Sequence, residues 1–86
     1  MKDMNDFHLT KMERILRILE DVRPDVDFEN EKSLVDGNIL DSFDIISIIE
    51  EIKDELGIEI DVSDIIPENF NSAESIFSIV KKYEEN

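Results

Sequence analysis

Apolar residues return at three- and four-residue steps in three stretches of the chain. Met12, Ile15, Leu16, Leu19 and Val22 make the first stripe, which predicts an amphipathic helix capped by Thr10 or an earlier Asp and stopping before Pro24. Phe43, Ile46, Ile49, Ile52 and Leu56 trace a second, opened by Asp41 with Asp44 three residues on and closed by Gly57 as a left-handed terminator. Ala73, Ile76, Phe77, Val80 and Tyr83 form the third, with Asn71 and Glu74 as a capping box and Lys81 and Lys82 in the last turns, where cations complement the helix dipole. Ile45, Ile46, Ile48, Ile49 and Ile52 give the second helix a β-branched content that lowers its intrinsic helicity, so packing must hold it.

Between the first two stripes, over residues 24–40, periodicity disappears. Val26, Phe28, Leu34, Val35 and Ile39 are spaced apolar anchors of a long acidic connection, and such a loop in a small domain is either functional or pinned down. Ile58, Glu59, Ile60, Asp61 and Val62 alternate like a strand, but a lone strand has no partner, so a loop with buried isoleucines is expected. Residues 63–66 are expected to form one short helical turn before Pro67. The predicted fold is all-α: a small bundle of three main helices plus one short helix, with a long first loop, in one domain over residues 1–86 whose first eight residues are frayed.

Composition narrows the function. The 86 residues carry 23 Asp and Glu against 9 Lys and Arg, a formal charge of −14, and 41% are hydrophobic. That charge repels nucleic-acid phosphates and anionic membrane surfaces and favours basic protein partners. Absence of Cys excludes a disulfide framework, a thiolate nucleophile and a sulfur-based zinc site, and suits a reducing compartment. The single histidine, His8, is expected to be a solvent-exposed terminal residue, too remote for a Ser-His-Asp triad. Residues 1–8 contain Lys2, Asp3 and Asp6 with no apolar run, so no secretory signal or membrane insertion is expected, and the cytoplasm is the expected location. Asp25, Asp27, Glu29 and Asp36 fall at calcium-loop spacings, but Asn30 stands where Gly is needed and Asp36 where a bidentate Glu is needed, so no metal site is expected.

The chemistry lies in the run from Asp36 to Asp44, which places Ser42 exposed at the first position of a capped helix beside a turn. Its plainest role is that of a common first-turn residue. An anion esterified at its Oγ would also be favoured there by the helix N-terminus, with Asp41 and Asp44 opposing it electrostatically.

The Asp41-Ser42-Phe43 signature, followed by an acidic amphipathic helix through Leu56 and Gly57, resembles the acyl carrier protein family. The likeness extends from Met12 to Tyr83 in helix order, long first loop, short third helix and acidity. It implies that Ser42 is esterified by 4′-phosphopantetheine from coenzyme A and that the thiol of that arm carries acyl or aminoacyl cargo as a thioester. The chain would then be a non-catalytic carrier and a monomer. With no His or Lys base beside Ser42, a phosphopantetheinyl transferase must supply base and Mg²⁺. Docking of basic enzyme surfaces is expected on Asp41, Asp44, Glu50, Glu51, Asp54 and Glu55, with Ile45 and Ile48, off the inner face, as apolar contacts. The expected clients are acyl or aminoacyl ligases, acyltransferases and ketosynthase-type enzymes.

Ser47 and Lys53 depart from the acidic pattern of fatty-acid carriers. The segments Ile39-Leu40-Asp41-Ser42 and Pro67-Glu68-Asn69-Phe70-Asn71-Ser72 look closer to D-alanyl and peptidyl carriers. Fatty-acid synthesis and loading by an adenylating ligase both stay open. The alternative of another class is an acidic helical adaptor with no prosthetic group.

Overall fold

The computed structural model describes residues 10–85. His8 and the frayed terminus expected over residues 1–8 lie outside the described residues. The elements are α1 (Lys11–Val22), α2 (Ser42–Leu56), a 3-10 turn (Val62–Asp64), the short α3 (Pro67–Phe70) and α4 (Ala73–Glu85). No strand occurs among the described residues, and no helix is long and apolar enough to cross a membrane. The all-α bundle with one short helix is therefore the observed fold.

Thr10 opens α1 with a full capping box: its hydroxyl accepts from the Glu13 N–H while the Glu13 carboxylate accepts from the Thr10 N–H. The helix buries Ile15, Ile18 and Leu19 against α2 and α4. It ends at Arg23, whose N–H reaches the Leu19 carbonyl at 2.9 Å, with Pro24 next in the chain. The connection over residues 24–40 makes only turns. It is held by Phe28, Leu34 and Leu40, all buried, with Val26, Val35 and Ile39 packed partly against the same core. At the other end of α2, Gly57 sits in the left-handed region at φ 70°, and Ile58 and Ile60 are buried in the loop that follows.

Three expectations need correction. Spacing selects Phe43, Ile46, Ile49, Ile52 and Leu56 as the inner face of α2, whereas the structure buries Ile48 and Ile52 completely and leaves Phe43 80% and Ile46 56% exposed. With five isoleucines in eight positions, two neighbouring stripes are equally apolar, and contact with α1 selects the one through Ile45, Ile48 and Ile52. Secondly, the short turn expected over residues 63–66 is replaced by two pieces. Asp61 caps the 3-10 turn by accepting from the Ser63 N–H, and Pro67 opens α3 instead of ending a helix, because a first-turn residue needs no N–H. Thirdly, Ser72 rather than Asn71 caps α4, its hydroxyl accepting from the Ser75 N–H at 3.1 Å. The Asn71 side chain turns instead to the long loop.

Candidate functional site

Ser42 is the first residue of α2 and is exposed. Asp41 ahead of it is extended (φ −108°, ψ −175°), and its Oδ1 accepts from the Asp44 N–H at 2.9 Å while Asp44 Oδ2 accepts from the Asp41 N–H at 3.1 Å. This reciprocal pair fixes the first turn and thereby the direction of the Ser42 side chain.

The approach to Ser42 is equally constrained. Ile39 and Leu40 both donate their N–H groups to the Leu34 carbonyl, at 3.0 and 2.8 Å, and the buried Leu40 side chain anchors the chain two residues before the serine. Asn38 adopts φ 59°, a conformation Asn tolerates better than most residues. Gly37 is needed for space: a Cβ there would lie 2.7 Å from the Ser33 carbonyl oxygen. The turn before Ser42 is thus a closed hydrogen-bonded structure.

Arg23 is the feature that residue patterns do not reveal. Its Nη1 donates to Asp44 Oδ2 at 2.7 Å and to the Ile39 carbonyl at 2.9 Å, while Nε and Nη2 hold the two oxygens of Asp25 at 3.0 and 2.8 Å. The hydrogen bonds it donates to Asp25 and then to Asp44 raise the guanidinium pKa above its ordinary value, and the first of these contacts holds the Asp25 carboxyl below the usual range. The one available signal was a lone cation at the end of α1, followed by a connection whose only other cation is Lys32.

Beside Ser42 lies an open groove of about 240 Å³ between α2 and the 65–70 segment, lined by Val35, Ile45, Ile46, Ile65, Ile66, Pro67 and Phe70, with Ser42 at its edge. The lining is almost wholly apolar. Ser42, itself exposed, is the polar residue of that lining.

The residues expected to meet partners divide into two groups. Asp41, Glu50, Asp54 and Glu55 are exposed and Glu51 is half-buried, so these carboxylates flank or run down from Ser42. Asp44 is otherwise engaged: its side chain is only 15% exposed and is bound by Arg23 and by the Asp41 N–H. Ile48, at 0% exposure, belongs to the core and has no surface to offer a partner, while Ile45 is half-buried on the groove. In their place Phe43 and Ile46 stand outward beside Ser42, and Val62 and Ile66 are exposed on the following segment. Lys53 reaches Glu59 at 3.5 Å on the surface.

No family model matches the chain. A curated acyl carrier protein from Buchnera aphidicola subsp. Baizongia pistaciae is 44% identical over 54 residues, which span 63% of this chain and 67% of that protein. With the helix order, the capped Ser42 and the adjoining apolar groove, this likeness shows that the chain belongs to the acyl carrier protein family.

Proposed function

We propose that this chain carries acyl or aminoacyl groups on a 4′-phosphopantetheine arm attached to Ser42 and delivers them to partner enzymes. The observation that carries the reading is Ser42, exposed at the first position of α2 and lining an apolar groove. When bound, the arm supplies a terminal thiol that holds cargo as a thioester; the protein itself has no cysteine to compete for it.

In loading, Ser42 Oγ forms a bond to the pantetheine-side phosphorus of coenzyme A as the bond to adenosine 3′,5′-bisphosphate breaks. The hydroxyl proton passes to a base on the transferase, since the sequence places no His or Lys beside Ser42. The first-turn N–H groups of α2 and its dipole favour the resulting phosphodiester. Asp41, Glu50, Glu51, Asp54 and Glu55 attract basic enzyme surfaces toward that end, with Phe43 and Ile46 as the apolar contacts next to the arm.

Incubation with coenzyme A, Mg²⁺ and a broad-specificity phosphopantetheinyl transferase should add one phosphopantetheine to the wild type by intact mass and none to Ser42→Ala. A wild type that several competent transferases leave unchanged would favour the acidic adaptor instead. Within the carrier reading, short or aminoacyl cargo is favoured by the filled interior below the groove, where Ile48, Ile52 and Phe70 leave almost no exposed surface. Loading of the modified protein by an adenylating amino-acid ligase tests that choice.

A further inference from the structure

An anion esterified at Ser42 would meet two carboxylates, Asp41 at the cap and Asp44 one turn in. Like charges at this spacing repel, and most strongly where water is excluded, which is at the Asp44 side chain. The cation placed against it is Arg23, which arrives from the end of α1, 21 residues away in sequence. One guanidinium nitrogen is shared between Asp44, two residues after Ser42, and the Ile39 carbonyl, three residues before it. The same side chain therefore grips both flanks of the serine. Its own base is steady, because the Arg23 N–H closes α1 onto Leu19 and Pro24 restricts the backbone that follows. Asp25 on the solvent side is 64% exposed, so water screens it, while the Asp44 contact is the enclosed one.

We propose that Arg23 is a positioning residue for the modification of Ser42: it holds the loop and the first turn of α2 in register and offsets the Asp44 charge that would oppose a phosphodiester on Ser42. The proposal rests on Ser42 as the attachment residue. The transferase never needs to touch Arg23. Removing the guanidinium leaves the Asp44 carboxylate uncompensated in the turn that carries the new anion and frees the Ile39 carbonyl.

The test compares wild type with Arg23→Gln, Arg23→Lys, Asp44→Asn and the Arg23→Gln/Asp44→Asn pair. Modification kinetics come from intact mass, and melting temperatures are taken for the apo and phosphopantetheinylated forms. R23Q should lower kcat/KM about tenfold, more through kcat than KM, because the outer face of α2 is unchanged. Lysine should recover part of the loss, since it keeps the charge without the fork. Adding D44N to R23Q should restore rate by removing the repulsion, a rescue that a fold prop would not show. The modified form of R23Q should lose about 3 °C or more beyond the loss of its apo form, and about 1 M salt should close that gap. Equal losses in both forms, an unchanged kcat/KM, or a double variant no faster than R23Q would overturn the role of Arg23. An unmodified wild type would instead remove Ser42 as the attachment residue, and this proposal with it. If R23Q does not fold, R23K carries the same kinetic and melting comparison.

Discussion

Single side chains decide which face of α2 is public. Ile48 has no exposed surface and Ile46 is more than half exposed, although they are two positions apart on one isoleucine-rich helix. Ile48→Ala should cost about 2–5 kcal/mol in urea unfolding, since it empties a filled core position. Ile46→Ala should change stability by far less, about 0.5 kcal/mol, because more than half of that residue already lies in solvent. Equal effects at both sites would return the helix to the orientation that spacing alone suggests. Hydrophobic periodicity cannot separate these two residues: when neighbouring stripes are both aliphatic, only the partner helix selects between them, and that partner lies far away in sequence. Three of the caps, in contrast, are local and were legible, while at α4 the neighbouring Ser72 takes the place of Asn71. Thr10, one of the caps the spacing offered for α1, Asp41 with Asp44, and Gly57 each act within four residues of the position where they are read.

Among the elements, the 24–40 connection has no helix or strand of its own, and its internal turns are tied to the rest of the fold from outside. Asn71 Oδ1 accepts from the N–H groups of Val35 and Asp36, both at 3.0 Å, its Nδ2 donates to the Asp36 carboxylate at 3.0 Å, and its carbonyl accepts from the Leu34 N–H at 2.9 Å. One residue between α3 and α4 thus ties down the loop that leads to Ser42. Asn71→Ala leaves a part-buried N–H at Val35 without its acceptor, a loss of about 1–3 kcal/mol. Hydrogen exchange should accelerate over residues 35–40 by more than any change at Ile76 or Val80. Uniform acceleration across the chain would show that Asn71 acts on the whole fold and not on this loop. The apolar anchors of the loop were readable because burial leaves a mark on residue type. The Asn71 clamp and the Arg23 bonds to Ile39 and Asp44 were not, because hydrogen bonds spanning 16 to 37 residues have no period or spacing to betray them.

For the molecule as a whole, the sequence sets 23 Asp and Glu against 9 Lys and Arg. Pairs such as Lys32–Glu74 at 2.8 Å, Lys11–Glu84 and Lys82–Asp64 at 3.7 Å tie the loop, α1 and the 3-10 turn to α4. Repulsive pairs nevertheless outnumber attractive ones, so screening should stabilise the fold. The melting temperature is expected to rise by several degrees between about 10 mM and 500 mM salt, and with millimolar Mg²⁺ as well. A flat response would mean that the carboxylates are already compensated.

The outward ring of Phe43 is a hazard for a molecule that must stay dispersed. Two copies brought together ring to ring would each present a body of fourteen net negative charges to the other. Mutual avoidance at long range shields the greasy contact from its own kind, while an enzyme of opposite sign crosses the same distance downhill. Sociability is thereby made selective, with stickiness reserved for visitors already sorted by charge.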